Sequence, residues 1–288
     1  MNVDNNLTES NVAIVGLGLM GGSLAMALRG HCKGLFGCDL DVETLDLARR
    51  MKLVDAVDSN IEALLPKADL IVLATPVRTI LELLITIPEF VKQPTVIMDL
   101  GSTKTEIVQA MEGLPHLLEP IGGHPMCGKE KSGLENANRV LFQGAPFAMS
   151  ALRRTTPRAR ALAEEMIQVI GARTIWMEAE IHDEWVAATS HLPYLLSVAL
   201  TSATPLEVSP LVGPSFQSAT RMAASSPKMM TDIFLTNQEP VLMAISRCVK
   251  KLEKLEKLIR AGDEEQLEDY FEESILHHRR LVLAQEDR

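Results

Sequence analysis

Short apolar runs alternate with stretches of helical spacing through the first part of the chain. The runs predict buried strands at residues 12–15, 34–38, 70–73, 95–99 and 172–177. Apolar positions three and four apart predict helices at residues 20–28, 42–51 and 157–170, with others starting near Val77 and Thr103. Strands separated by helices indicate a mostly parallel sheet, so the predicted fold class here is Rossmann-like α/β.

The pattern changes towards the C-terminal part. Residues 117–151 are less regular and contain a His-Pro pair and several glycines. Beyond Glu178 the pattern turns helical, with helices predicted at residues 180–202, 238–261 and 264–284. These differences predict an α/β domain over residues 1–178 and an all-helical domain over residues 179–288.

One predicted helix carries a continuous apolar stripe. Its members are spaced three or four residues apart, at Leu242, Ile245, Val249, Leu252, Leu255 and Ile259. Such a stripe either faces the core of its own subunit or forms a dimer contact, and the spacing alone does not choose between the two.

Charge and composition exclude several classes of partner. The formal net charge of -10 disfavours binding to a nucleic acid backbone or to an anionic membrane surface. A small anionic substrate remains compatible, because a few arginines or a helix N-terminus can reverse the potential inside one cleft.

The cysteines and the first residues bear on redox compartment and location. Four cysteines without a C-x-x-C spacing indicate neither a metal site nor a disulfide framework. The polar start resembles no signal peptide, and no apolar run approaches the roughly 18 to 20 residues that span a bilayer. A cytoplasmic protein is therefore expected.

A glycine motif joins the first predicted strand to the first predicted helix. Residues 16–21 read GLGLMG and match G-x-G-x-x-G. In that position Gly16 allows a tight turn, Gly18 lets the backbone approach a pyrophosphate, and Gly21 permits close helix packing. Leu19 and Met20 begin the helix, and the N–H groups of this first turn are available to the phosphates.

An acidic residue after the second strand indicates the type of dinucleotide. Asp39 follows Gly21 at the spacing expected for a carboxylate that binds the adenosine ribose. An acid in that place repels a 2′-phosphate, so NAD is predicted rather than NADP. Thr75 and Pro76, at the end of another strand, are predicted to lie along the cofactor, and a simple strand-to-helix turn is the structural alternative.

Further polar motifs follow in a fixed order along the chain. They read DLGSTK at 99–104, GGHPMCGKEKSG at 122–133, HD at 182–183, SHLPY at 190–194 and TR at 220–221. Together with the glycine motif, this series closely resembles the prephenate and arogenate dehydrogenase family over nearly the whole chain.

The resemblance implies a fold and a reaction. The fold would be a modified Rossmann domain followed by a helical domain that forms a homodimer. The reaction would be an NAD-dependent oxidative decarboxylation of a cyclohexadienol, in which a hydride leaves the carbinol carbon, a base takes the hydroxyl proton and carbon dioxide departs.

The resemblance also suggests catalytic residues. His124 is expected to accept the hydroxyl proton, a role that suits a neutral imidazole near physiological pH. Ser102 is expected to hydrogen-bond the nicotinamide region and His124. An N-terminal helix cap formed by Ser102 or Thr103 is the structural alternative.

Three further residues are expected to contact the substrate. Arg221 has the planar guanidinium that suits a carboxylate, with a salt bridge as its alternative. His191 would line the pocket from the helical domain, unless it is a packing histidine. Glu130 would either attract the ammonium group of arogenate or pair with Arg221.

Three other functions remain open at this level. Prephenate is the favoured substrate, and arogenate or both substrates come next. A β-hydroxyacid dehydrogenase would have a similar arrangement of domains, but its G-x-x-x-N-x-x-K pattern does not occur here. A cofactor-binding sensor without catalysis is disfavoured by the presence of Ser102, His124 and Arg221 together.

Overall fold

The computed structural model describes residues 6–129 and 131–286. The chain divides into two compact units, residues 1–238 and 239–288. The last described strand ends at Trp176, close to the boundary predicted at residue 178. That boundary stays a prediction, because the helices up to residue 238 belong to the same compact unit as the sheet.

The described residues of the first unit form an eight-stranded sheet. The strands are β1 (Asn11–Val15), β2 (Gly34–Cys38), β3 (Ala56–Asp58), β4 (Leu70–Leu73), β5 (Thr95–Asp99), β6 (Leu118–Pro125), β7 (Pro146–Ser150) and β8 (Arg173–Trp176). Their order in the sheet is β3-β2-β1-β4-β5-β6-β7-β8. All neighbouring pairs are parallel except β6 with β7.

Helices connect and follow these strands. Those of the first unit are α1 (Leu19–Leu28), α2 (Val42–Arg50), α3 (Val77–Thr86), α4 (Thr105–Glu112), α5 (Pro157–Val169), α6 (Ala179–Val186), α7 (Leu192–Ala203), α8 (Pro214–Thr220) and α9 (Pro227–Thr236). The long helices α10 (Gln238–Ala261) and α11 (Glu264–Glu286) follow. None of the described helices is both long enough and apolar enough to cross a bilayer.

Alternate residues of the central strands belong to two separate apolar cores. In β1, Val12 and Ile14 join one core, whereas Ala13 and Val15 join the other. The first core also includes apolar residues of α1, α2 and α5, and the second includes those of α3 and α4. Burial on both faces explains why the central strands read as continuous apolar runs and not as alternating ones.

The predicted strands and helices of the sheet region are confirmed, and three strands were missed. β3 is a short strand with only partly buried or exposed residues, so no apolar run marks it. β6 and β7 lie in the stretch 117–151, where glycines and prolines obscure the strand pattern. In β6, Gly122 and Gly123 are favoured because their neighbours leave little room for a Cβ atom. Ser150 of β7 approaches Gly122, and Met98 and Phe147 approach Gly123.

A wider helical turn interrupts the predicted helix over residues 180–202. Residues Ala187–His191 form a π-helical turn between α6 and α7. π-turns insert one residue and rotate everything that follows, and they are frequent at functional sites. Here the turn ends at His191, one of the predicted site residues.

Close packing between the glycine loop and α1 yields a first testable prediction. A Cβ atom on Gly21 would overlap the carbonyl oxygen of Gly16 and would lie 3.1 Å from the Cβ of Ala74. Backbone cannot yield as a flexible side chain can, so Gly21→Ala should lower the free energy of unfolding by about 1–3 kcal/mol. Urea denaturation followed by circular dichroism measures this change.

Gly113→Ala is the matched control. Gly113 is exposed, has φ of -82°, and an added Cβ would meet only Ala110 O at 3.5 Å. Its stability should change by less than about 0.5 kcal/mol. Equal stability of the wild type and Gly21→Ala would contradict the packing described here.

Candidate active site

The carboxyl ends of β1 to β6 meet along one edge of the sheet, because these strands run parallel. Strand order reverses between β1 and β4, which creates a crevice of the kind where ligands bind in doubly wound sheets. The predicted site residues follow the sheet edge in spatial order: Asp39 after β2, the glycine loop after β1, Thr75 after β4, Ser102 after β5 and His124 near the end of β6. The structure therefore brings these residues to one edge.

The glycine loop forms an open cradle at the start of α1. Gly16 has φ of +94°, a conformation that favours glycine, and its N–H donates to Cys38 O at 2.7 Å. Gly18 is the N-cap of α1 without a side-chain cap, and a Cβ atom there would meet nothing within 4 Å. Leu19 and Met20 are partly exposed in the first turn. This open helix N-terminus suits a pyrophosphate.

Asp39 lies against the same loop. Its carboxylate accepts hydrogen bonds from Leu17 N at 2.7 Å and from Asp41 N at 3.0 Å. These contacts hold the acid beside the glycine loop, where the ribose of a dinucleotide would lie. A 2′-phosphate in that place would meet negative charge.

Thr75 gives an independent indication of a ligand. Its hydroxyl oxygen is buried and has no hydrogen-bond partner among the described residues. Pro76 is the N-cap residue of α3, so this strand end is also the start of a helix. A buried hydroxyl without a partner is costly, and a bound cofactor that reaches this strand end would supply one.

His124 belongs to a chain of hydrogen-bonded groups that crosses from β6 to α6. His124 Nδ1 lies 2.8 Å from His182 Nε2, and His182 Nδ1 lies 2.8 Å from Asp183 Oδ1. The two rings meet edge to face with their centroids 5.0 Å apart. His182 and Asp183 are buried, whereas His124 keeps part of its surface open to solvent.

Burial, aided by neighbouring ionisable groups, keeps His124 neutral. Desolvation, with contributions from His182, Lys104 and His191, holds the pKa of His124 well below the ordinary value of 6.5. The ring is therefore a base with a free lone pair at physiological pH.

A buried ion pair fixes the strand end that carries His124. The ammonium group of Lys104 pairs with Asp99 and donates to Gly123 O at 2.8 Å. Asp99 also accepts from Gly101 N at 2.8 Å and from Gly123 N at 3.2 Å. The ends of β5 and β6 are thus joined through charged side chains next to the histidine. Burial lowers the pKa of Lys104, and the charge of Asp99 opposes that shift.

The carboxylate of Asp183 caps α4. It accepts from Lys104 N at 2.7 Å and from Thr105 N at 2.8 Å. Burial raises the pKa of Asp183, but the hydrogen bonds from His182, Thr105 and Lys104 outweigh it and leave the pKa below 3.8. Since Asp183 provides this cap, Ser102 and Thr103 do not act as the side-chain cap of α4.

His191 is held by Asn237. Asn237 Nδ2 donates to Asp183 O at 2.8 Å and lies 3.1 Å from His191 Nδ1. That amide nitrogen is a donor, so the neutral His191 ring carries its proton on Nε2. Burial, with His182 adding to it and Asp183 opposing it, lowers the pKa of His191 to about 4. The His191 side chain is buried and its ring contacts Phe234, so it packs in the protein interior. Its contact with a substrate stays a prediction.

Three predicted residues remain, namely Ser102, Arg221 and Glu130. Ser102 is partly exposed, and no hydrogen bond joins it to His124 among the described residues, since His124 Nδ1 pairs with His182. Arg221 is exposed and starts the short 3-10 turn Arg221–Ala224. Ala223 N in this turn donates a hydrogen bond to Ser197 Oγ of α7 at 3.0 Å. Glu130 lies outside the described residues.

Sequence reasoning missed the groups that support the predicted site residues. His182 and Asp183 were noted as an HD motif without a role, and Lys104 only as part of a motif. Asn237 lies at the end of a segment, residues 232–237, that contributes to the family resemblance, but no role was predicted for it. Adjacent histidine and aspartate on a helix give little signal by themselves, because their partners Lys104 and His124 are distant in sequence.

Comparison with known proteins agrees with this geometry. Two family models match, namely prephenate dehydrogenase, nucleotide-binding domain, over residues 24–176, and prephenate dehydrogenase, dimerization domain, over residues 178–273. The chain is 32% identical to the cyclohexadienyl dehydrogenase of Zymomonas mobilis, covering 92% of this chain and 93% of that protein. It is 29% identical to the prephenate dehydrogenase of Bacillus subtilis, covering 92% and 74% respectively.

Solved structures show the same likeness over the whole fold. The prephenate dehydrogenase of A. aeolicus, crystallised with hydroxyphenyl propionate and NAD+, superimposes with a TM-score of 0.87 at 31% identity, covering 96% of this chain and 99% of that chain. The arogenate dehydrogenase of Synechocystis gives a TM-score of 0.79 at 26% identity and covers 94% and 99%. With family models over both parts of the chain and relatives aligned over most of its length, the chain belongs to the prephenate dehydrogenase family.

Proposed function

We propose that this protein is an NAD-dependent prephenate dehydrogenase in which His124 is the catalytic base. The observation that carries the proposal is a neutral, partly exposed imidazole at the same sheet edge as the glycine loop. A dehydrogenase needs a proton acceptor beside the carbon that loses hydride, and this edge supplies both the acceptor and a nucleotide cradle.

The residues at the sheet edge suit NAD. Gly18 leaves room for the pyrophosphate, Gly16 makes the turn before it, and Gly21 lets α1 pack against the loop. Leu19 and Met20 begin the helix that faces the pyrophosphate. Asp39 favours a free ribose 2′-hydroxyl, while Thr75 and Pro76 line the next strand end. NAD held by these residues would supply the acceptor for the hydride that leaves the carbinol carbon of the substrate.

The protein's own residues would manage the proton and the carboxylates. His124 takes the hydroxyl proton as the carbon–hydrogen bond breaks, and the loss of carbon dioxide from the opposite ring carbon then makes the ring aromatic. Arg221 would bind a substrate carboxylate through its planar guanidinium, and the Nε2–H of His191 would be a donor towards the substrate. Ser102 would assist at the nicotinamide end.

Prephenate is the proposed substrate, and arogenate is the second candidate. Prephenate dehydrogenases are among the relatives that match over nine tenths of this chain, which supports the first choice. The second is favoured by the cyclohexadienyl dehydrogenase of Zymomonas mobilis, at 32% identity over nearly its whole length. Glu130 is the proposed discriminating residue, as the group that would meet the ammonium of arogenate.

The apolar stripe on α10 supports a homodimer. Four of its six members are exposed and two, Ile245 and Leu255, are partly buried. The exposed ones are Leu242, Val249, Leu252 and Ile259, the last at 64%. An exposed stripe of this length is unusual for a monomer, so the core-facing interpretation is disfavoured and the dimer interpretation is proposed. The match of residues 178–273 to a dimerization domain agrees with it.

A side-by-side assay tests substrate and cofactor together. With NAD as cofactor, kcat/KM for prephenate should exceed kcat/KM for arogenate by at least about tenfold. With prephenate as substrate, kcat/KM with NAD should exceed kcat/KM with NADP by at least about tenfold. Like charge between Asp39 and a 2′-phosphate costs on the order of 1.4 kcal/mol or more, which is the tenfold discrimination expected for the cofactor. Faster turnover of arogenate would reverse the substrate assignment, and no reduced cofactor with either would refute the activity.

His124→Asn should lower kcat by about a hundredfold or more, because asparagine cannot accept the proton. Binding of NAD, measured by calorimetry, should persist. His116→Asn is the control, since His116 is an exposed histidine before β6 and should keep full turnover. Wild-type kcat in His124→Asn would exclude His124 as the base.

Leu252→Glu should convert a dimer into a monomer, because it places a charge within an apolar contact. Light scattering after size-exclusion chromatography measures the mass. Lys251→Glu, at the adjacent exposed position, is the control and should remain dimeric. A monomeric wild type, or a dimeric Leu252→Glu, would remove α10 as the interface.

A further inference from the structure

The two hydrogen bonds that link Asp183, His182 and His124 have a definite direction of donation. Asp183 Oδ1 accepts from Lys104 N and lies 2.8 Å from His182 Nδ1, while Oδ2 accepts from Thr105 N. A carboxylate that receives three such contacts is an acceptor only. The proton between Asp183 and His182 therefore belongs to His182 Nδ1.

That assignment fixes the next proton. In the neutral form of His182, a proton on Nδ1 leaves Nε2 bare, and His182 Nε2 then accepts from His124 Nδ1 across their 2.8 Å contact. His124 then carries its own proton on Nδ1. Its Nε2, at the other side of the ring, holds the lone pair that a base needs.

We propose that His182 and Asp183 are positioning residues that hold His124 in the tautomer with a free Nε2. The inference rests on the proposed function, since it concerns the base of that reaction. Neither residue has to touch the substrate, because both act through His124. Asp183 orients His182, and His182 orients His124.

The charges around His124 give Asp183 a second effect. Lys104 faces the ring with positive charge, but Asp99 forms an ion pair with it, and His182 and His191 also face the ring. Besides Asp99, Asp183 contributes a second carboxylate near His124, and it contacts His182 directly. It stabilises the imidazolium that forms when Nε2 takes the substrate proton, with His182 bridging the two groups.

Nitrogen NMR of the unliganded protein tests the tautomer directly. In protein with 15N-labelled histidine at neutral pH, His124 should show a protonated Nδ1 and an unprotonated Nε2. The His124 signals are assigned by their loss in His124→Asn. A wild-type His124 protonated on Nε2 would overturn the proposal, and so would an imidazolium at His182, because it would donate to His124 in the reverse direction.

Two variants of His182 separate positioning from mere packing. The glutamine side chain in His182→Gln would place an amide oxygen near the former Nε2, so this variant should keep kcat within about tenfold of the wild type. His182→Leu fills similar space without an acceptor; kcat should fall about a hundredfold, and the His124 proton should move to Nε2 in the NMR spectrum. KM for NAD should change less than about twofold in both.

Equal losses in the two variants, or wild-type kcat in His182→Leu, would overturn the proposal. The NMR result for the wild type stands even if His182→Leu does not fold. Failure of the proposed function would be seen separately, as absence of turnover in the wild type with prephenate and with arogenate.

Discussion

The geometry of the candidate site depends on one buried carboxylate. Asp183 caps α4 through Lys104 N and Thr105 N, holds His182, and through its own carbonyl oxygen holds Asn237. It thereby joins the loop after β5 to α6 and to the residue after α9. A buried carboxylate without these donors would be strongly unfavourable, so the charge of Asp183 depends on its hydrogen bonds. The positions of Lys104, Thr105 and His182 in turn depend on Asp183.

Two neutral histidines with opposite hydrogen-bonding character result from these contacts. His124 pairs through Nδ1 with His182, and His191 pairs through Nδ1 with the amide of Asn237. The first arrangement leaves a lone pair on the far nitrogen, and the second leaves a donor. Burial keeps both rings uncharged by lowering the pKa of each. An acceptor and a donor close to each other suit a substrate that loses a proton and carries carboxylates.

Much of the fold and of the cofactor cradle was predictable, because local patterns encode them. The strands β1, β2, β4 and β5 are apolar runs, and the GLGLMG motif is recognised from six consecutive residues between a strand and a helix. β6 was not predictable in this way. Gly122 and Gly123 weaken its strand pattern, and only close packing against Phe147 and Met98 explains them.

The sequence by itself determined the strands β1, β2, β4, β5 and β8 with the helices between them, the nucleotide loop with its acid, and the histidine placed among glycines. Each of these is encoded by residues that are neighbours along the chain. Only the tertiary structure decided which side chain orients His124, because His182 lies 58 positions further along, with Asp183 directly after it, and both reach the site through α6. The proton position on an imidazole depends on its hydrogen-bond partner, and that partner exists only once the chain is folded.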